Sequence, residues 1–260
     1  MLSLHDKKPK MLSKAKIKYI RSLEQKKNRK AEGVFVAEGP KVVGDLLEAM
    51  NARLIVATGQ WLSANEASLQ GECECIEVSE DDLRKVSFLQ HPQQVLALFP
   101  QPNRQTALSA HQLSLALDGV QDPGNLGTII RIADWFGIKR IYCSNDTADV
   151  YNPKVVQATM GSLARVDIMY TDLRELTSSL PADYPVYGTL LDGDSIYKQQ
   201  LTDYGLIIMG NEGNGISPEL RPKINHKLLI PNFPEGRKAA DSLNVAIATA
   251  ITCAEFRRRY

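Results

Sequence analysis

The run from Leu115 to Ile138, LALDGVQDPGNLGTIIRIADWFGI, leaves a chain few ways to fold. Its first residues are apolar enough for a buried strand. Asp118, Asp122, Pro123, Gly124, Asn125 and Gly127 then crowd a turn with side chains that bend backbone or cap helices. Ile129, Ile132, Ala133 and Phe136 follow at the spacing of one helix face, and Arg131 is the one basic residue early in that helix. A strand leading through a glycine-rich turn into an amphipathic helix is the unit of α/β proteins, so the rest of the chain is expected to supply more of them.

It does so in two halves. Before residue 100 the segments 33–39, 53–57, 73–79 and 94–99 are short and β-rich. Between them, Val42, Val43, Leu46, Leu47 and Met50 fall on one helix face, and Ser79 ahead of Asp81 and Asp82 reads as a capped helix start. This predicts a small α/β domain with a largely parallel or mixed sheet. The run PQPNRQT (100–106) breaks all periodicity, which puts the domain boundary there: residues 1–104 and 105–260. The second half predicts strands near 113–118, 139–143, 165–170, 185–191, 205–210 and 227–231, and a final helix over Ser242 to Arg258 that is apolar enough to face another subunit in part.

With 43% hydrophobic and 23% charged residues, the composition is that of a globular protein with a sizeable core. No window approaches the ~18 apolar residues of a membrane span, so no membrane association is expected. Cys73, Cys75, Cys143 and Cys253 show no second pair at zinc-finger spacing, so no metal site is expected, and reduced buried thiols in the cytoplasm are the simple reading. Charge is uneven: residues 1–30 hold 11 Lys or Arg against Asp6 and Glu24, a charge of +9, and since the whole chain is +1 the remainder carries −8. Such a segment suits a polyanion or a solvated tail; Ile17, Ile20 and Leu23 at helical spacing after Ser13 favour an ordered helix with a basic outer face.

Three stretches carry candidate chemistry. The turn at Asp122–Gly127 lacks both G-x-G-x-x-G and G-K-[ST], and Pro123 removes a donor, which argues against a dinucleotide or P-loop site. Asn125 and Arg131 remain, unless Asn125 only supports the turn and Arg131 only pairs with Asp134 or Asp118. LIIMGNEGNGIS (206–217) runs an apolar strand into glycines around Glu212, where backbone could approach a ligand or Glu212 could cap a helix after Ser217. KLLIP (227–231) is followed by Ser242, the expected N-cap of the last helix, and by Asn244, which that reading does not explain.

Taken together, N-L-G-T-I-I-R, G-N-E-G-N-G and I-P followed by S-L-N-V resemble, in order and spacing, the three motifs of the SpoU/TrmH branch of the SPOUT RNA methyltransferases. The resemblance covers about residues 113–258. Residues 11–100, through FVAEG and QQVLAL, are similar to the L30e-like domain that precedes the catalytic domain in many members. The resemblance implies a deep trefoil knot, where periodicity alone suggests an unknotted doubly wound sheet. It further implies S-adenosylmethionine as cofactor, a homodimer, and methyl transfer to a ribose 2′-hydroxyl of RNA.

Matched residue by residue, it implies Asn125, Arg131, Glu212, Ser242 and Asn244 as the reaction site, with Gly210, Asn211, Leu190, Ile230 and Leu243 around the cofactor. Arg131 is expected to position the ribose-phosphate and stabilise developing charge, with proton removal by Arg131 as the alternative. The N-terminal domain tilts the substrate towards ribosomal rather than transfer RNA; a non-catalytic knotted RNA-binding protein is the competing class. Two departures stand out: the long segment NFPEGRKAAD (232–241), with Asp241 where relatives often have glutamate, and HPQQ (91–94), where relatives often have His-Gln-Gly.

Overall fold

The computed structural model describes residues 12–69, 73–102, 111–234 and 242–258. The basic residues before position 12, most of the expected linker, Asp241 and Arg259 lie outside them. In chain order the first elements are α1 (Lys14–Ser22), α2 (Lys26–Glu32), β1 (Val34–Glu38), α3 (Pro40–Ala49), β2 (Leu54–Ala57), α4 (Gly59–Ala64), β3 (Glu74–Glu77), α5 (Glu80–Val86) and β4 (Val95–Pro100). Then come β5 (Leu113–Leu117), α6 (Pro123–Trp135), β6 (Arg140–Cys143), α7 (Pro153–Ala158), β7 (Asp167–Tyr170), α8 (Leu173–Ser178), β8 (Val186–Ser195), β9 (Gly205–Met209), β10 (His226–Leu229) and α9 (Val245–Arg257). They form two compact units: Met1–Asn103 with Asp149–Ala164, and Arg104–Ala148 with Arg165–Tyr260.

In the first unit a four-stranded sheet has the order β1-β4-β2-β3. β2 and β3 are parallel while β4 runs antiparallel to both its neighbours, so the sheet is mixed. Val34, Val36, Leu54, Val56, Leu96 and Leu98 build one core with Ile20 and Leu23, which explains the apolar stripe of the basic segment. Ser13 caps α1 and Ser79 caps α5, each accepting a backbone N–H three residues on at 3.2 Å. At the departure from the family pattern, Gln94 holds φ at 47°, a left-handed conformation that glycine adopts without cost.

Arg29 is not a surface charge. It is 2% exposed, donates to the carbonyls of Leu23 and Glu24 at 2.7 and 2.6 Å, and pairs with Asp149 at 2.5 Å. Tyr151 stacks on Phe35 with centroids 5.0 Å apart. Together they fasten Asp149–Ala164 to the N-terminal elements of the same unit. One of the 11 basic residues counted above is therefore structural, and Lys16 and Arg21 are partly engaged, by Glu74 at 2.7 Å and by the Ser87 carbonyl. Lys14, Lys18, Lys26, Lys27 and Lys30 form the exposed cationic set.

In the second unit six strands, all parallel, take the order β10-β8-β9-β5-β6-β7. β5 and β9 are buried along their whole length, as expected of central strands covered on both faces. Every connection must then cross back, so the loops that leave β5, β9 and β10 collect at one end of the sheet. α6 packs against α9. β8 is irregular: Gly188 pairs with Lys227, but the next β10 residue, Leu228, pairs with Asp194, leaving 189–193 looped out. Among the described residues, no helix is long and apolar enough to cross a membrane.

Candidate active site

The turn after β5 is built from its own sequence. Asp122 caps α6 by accepting the Asn125 N–H at 2.7 Å, and Pro123 occupies the first helical position, where a missing N–H costs nothing. Gly119 has φ of 70°, its N–H meets Ser144 Oγ at 2.8 Å, and its carbonyl accepts from Asn211 Nδ2 at 2.6 Å. That last bond anchors one end of the loop 210–217. The other end is anchored where the Ser217 N–H donates to Asp118 Oδ2 at 2.6 Å. Within the loop Asn211 and Gly215 bridge each other through both backbone bonds, at 2.9 and 3.0 Å.

Glycine in this loop answers to the loop itself. A Cβ on Gly210 would stand 2.2 Å from the Gly215 carbonyl carbon and 2.4 Å from the Ile216 nitrogen, so the close approach is between backbone segments, not to a ligand. Nor does Glu212 cap a helix, since the first helical turn beyond it begins only at Arg221. Instead its Oε1 accepts from Asn125 Nδ2 at 2.8 Å.

Asn125 completes a relay. Its Oδ1 accepts from Asn244 Nδ2 at 2.9 Å, while Asn244 Oδ1 accepts the N–H groups of Ala246 and Ile247 at 3.0 and 3.3 Å. The N-cap of α9 is therefore Asn244 and not Ser242: the helix starts at Val245, two residues later than the sequence suggests, and only Asn244 can reach those first N–H groups. Each amide in the relay has its orientation set by a partner on either side. Asn125 must direct its NH2 to the carboxylate, which obliges Asn244 to present NH2 to the Asn125 oxygen and its own oxygen to the helix.

The structure thus joins Asn125, Glu212 and Asn244, from turns separated by 87 and 119 residues. Arg131 and Ser242 are exposed and make no hydrogen bond or ion pair among the described residues. Arg131 lies six residues beyond Asn125 on α6, about 9 Å along the axis and on a different face. It pairs with neither of the carboxylates expected from the sequence: Asp134 is held by Arg165 at 2.8 Å, and Asp118 holds the Ser217 amide.

Four of the five remaining residues lie on or just beyond three adjacent strands, and Leu243 precedes α9. Gly210 and Asn211 follow β9, Ile230 follows β10, and Leu190 lies in the looped-out part of β8. Leu190 is 7% exposed and packs with Tyr142 and Ile208 in the core, whereas Leu243, just before α9, is half exposed. Asp118 and Asp122, which the sequence places in the turn without a role at the site, hold the loop and the turn respectively; an Asp directly before a Pro at a helix start is the signal for the Asp122 cap. A separate cavity of about 230 Å³, lined by residues that include Asp118, Thr171, Asp172, Arg174 and Glu219, contains none of the ten expected residues. In it Arg174 holds the Asp172 carboxyl down at about 2.

Comparison with known proteins adds the lineage of this arrangement. Residues 112–254 match the model of the SpoU rRNA Methylase family. The chain belongs to that family. Residues 14–97 match the MRM3-like substrate binding domain. Among SpoU relatives, the 23S rRNA guanosine 2′-O-methyltransferase RlmP of Bacillus subtilis is 32% identical, over 91% of this chain and 93% of its own. A TrmH-family protein from Porphyromonas gingivalis has a structure that superposes with TM-score 0.89 at 42% identity, covering 96% of this chain and all of that one. The AdoMet-bound rRNA methyltransferase of Sinorhizobium meliloti superposes with TM-score 0.85 at 32% identity, covering 95% and 96%. The mixed α/β architecture of this chain is that of its SpoU/TrmH neighbours.

Proposed function

We propose that this SpoU-family chain is an S-adenosylmethionine-dependent methyltransferase acting on a ribose 2′-hydroxyl of ribosomal RNA. The observation that carries it is the Asn244–Asn125–Glu212 relay, which ties all three family motifs into one hydrogen-bonded set at one end of a parallel sheet. The relative RlmP, similar over nearly the whole chain, acts on 23S rRNA, which favours ribosomal over transfer RNA.

The residues fit the cofactor. Segment 189–193 lies where β8 slips in register against β10, and Leu190, Ile230 and Leu243 supply apolar surface that an adenine can pack against. Gly210 and Asn211 would line the neighbouring strand end. When bound, S-adenosylmethionine supplies an electrophilic methyl on a sulfonium. The chain's own work is then positioning. A guanidinium donates hydrogen bonds and does not accept them, so Arg131 grips the ribose-phosphate and stabilises negative charge growing on the 2′-oxygen. Asn125, Glu212 and Asn244 keep the three loops in register, which matters because an in-line displacement tolerates little misplacement. Ser242 lies two residues before Asn244 and is assigned to the same site.

The same reading takes the two halves, 1–104 and 105–260, as a substrate-binding L30e-like domain and a catalytic domain with a trefoil knot, working in the cytoplasm. The mixed sheet β1-β4-β2-β3 supports the first assignment and the six parallel strands the second. A homodimer is favoured by the apolar side chains that the packed pair α6 and α9 leaves uncovered, Trp135 at 84% and Ile247 at 52% exposure.

The test is transfer of labelled methyl from S-adenosylmethionine to total RNA, with nuclease digestion to locate the label. Label on a ribose is expected; label on a base, or none, overturns the proposal. Because Arg131 holds nothing in the fold, Arg131→Lys should abolish most transfer while unfolding as the wild type does, and unimpaired methylation by that variant would remove its role.

A further inference from the structure

Outside the methyl-transfer site the thiols divide: Cys143 and Cys253 are buried as the sequence suggests, whereas Cys75 is exposed and Cys73 half-buried. Also outside it is the cavity of about 230 Å³ in the second unit. The cofactor reading uses the ends of β8, β9 and β10. The cavity opens at the ends of β5, β6 and β7, where Asp118, Ser144 and Thr171 line it. The carboxyl ends of parallel strands are where open α/β sheets take ligands.

Its frame is held from several sides. Asp118 and Ser217 share the 2.6 Å bond that anchors the loop carrying Glu212. Ser144 Oγ accepts the Gly119 N–H at 2.8 Å and donates to Asp146 at 2.6 Å. Arg174 grips Asp172 through Nε at 3.0 Å and a terminal nitrogen at 2.5 Å. These groups are spent on the fold. The side chains of Glu219, Asn145 and Thr171 are not: they make no hydrogen bond among the described residues, and they line the cavity together with the buried Leu173 and Leu220.

That remainder is selective. A volume below the roughly 300–1,000 Å³ of sites for drug-sized molecules suits a single heterocycle. Phosphate is disfavoured, because the Arg174 charge is already paired and Glu219 adds a negative one. A carboxylate only accepts, through two oxygens, and is best met by two adjacent donors. Among the RNA bases guanine alone presents them on one edge, N1–H beside the N2 amine; on the others a single donor group stands next to acceptors that a carboxylate repels. The Asn145 amide and the Thr171 hydroxyl can donate to guanine O6 and N7, and the two leucines offer the ring an apolar face. Bases splayed out of single-stranded RNA are read on these edges.

We propose, resting on the RNA methyltransferase reading above, that this cavity takes a guanine base of the RNA, with Glu219 accepting from N1–H and the N2 amine. Because the loop that ends at Ser217 carries Glu212, a base held here is fixed against the same loop that the relay docks.

The full chain is titrated with an oligouridine pentamer whose central nucleotide is guanosine, inosine or adenosine, and occupancy is read from the amide chemical shifts of Asn145, Thr171 and Ser217. The guanosine oligomer should shift all three. Inosine lacks the N2 amine, so its oligomer should bind roughly tenfold more weakly, the lower end for a bond to an exposed charged group. The adenosine oligomer should bind no better than plain oligouridine. Glu219 is exposed and makes no hydrogen bond, so Glu219→Gln should fold as the wild type does, keep its S-adenosylmethionine affinity and bind the guanosine and inosine oligomers alike. Amides that stay still with guanosine, or a Glu219→Gln variant that still discriminates, overturn the proposal. So does N-acetylarginine amide shifting them where RNA does not, which assigns the cavity to a protein side chain. The titration needs no methyl transfer, so ribose methylation by a chain whose cavity amides stay still refutes the guanine pocket and leaves the proposed function standing.

Discussion

Asn125→Asp changes one NH2 of the relay to an oxygen and nothing in its shape. The Asn244 Nδ2 still finds an acceptor, so the α9 cap is kept, but the 2.8 Å contact with Glu212 now sets two carboxylates against each other. Losing a hydrogen bond to a charged group costs about 1.5–3 kcal/mol. Repulsion at ~3 Å adds about 1.4–5.5 kcal/mol, depending on how much solvent intervenes. Glu212 is exposed, so both figures fall towards their lower ends, and the net effect is about 2–3 kcal/mol. If the loop must be docked for methyl transfer, kcat/KM falls roughly 30- to 150-fold.

The decisive assay is the reciprocal pair. In Asn125→Asp with Glu212→Gln, the new glutamine amide donates to the new carboxylate and the relay is rebuilt with donor and acceptor exchanged. Denaturant midpoint and S-adenosylmethionine affinity should then return most of the way to wild type. Activity returns with them if Glu212 acts only by holding the loop, and stays low if its carboxylate also meets the substrate. A double variant no more stable than Asn125→Asp alone would refute the relay.

Arg29→Met takes the ion-pair partner from the half-buried Asp149, which keeps only the Tyr151 N–H, and removes three donor contacts; the first unit should lose up to about 3–5 kcal/mol in a denaturant titration, a cost far above that of an ordinary surface lysine change. Glu38 is pushed above the usual carboxylate range by burial, with opposing bonds from Ser87 Oγ and the Phe88 N–H. Because the folded state then holds its proton more tightly than the unfolded chain, its contribution to stability is full below the unfolded pKa of ~4.3, falls as pH rises towards the folded pKa, and is flat beyond. Thermal melts of wild type and Glu38→Gln should diverge across that window, the wild type losing ground with rising pH. Charge reversal at Lys14, Lys18, Lys26, Lys27 and Lys30 should weaken RNA binding and reduce its log–log salt slope by up to about one per lost phosphate contact, with cofactor affinity unchanged. Deleting residues 1–30 would not test this, since it also removes Ile20, Leu23 and Arg29 from the core.

The local chemistry of this chain is legible in its residues alone. Alternation of apolar strands with one-faced helices places β5, α6, β9 and β10 within a residue or two, because a buried strand and an amphipathic helix each leave a period in the sequence. The three loops can likewise be matched by residue type and order. What cannot be read that way is which side chains hold which. Whether Ser242 or Asn244 caps α9, whether Glu212 caps a helix or receives Asn125, and whether Arg131 is paired all depend on groups about 30 to 120 residues away, and no local pattern encodes such a distance. The same holds for Arg29, which composition counts as surface charge and packing turns into a buried strut for Asp149, and for the thiols, identical in sequence terms, of which an edge strand exposes Cys75 and a central sheet buries Cys143. Sequence periodicity determines how a segment folds against water; only the closed tertiary structure decides which polar groups lose water together and must satisfy one another.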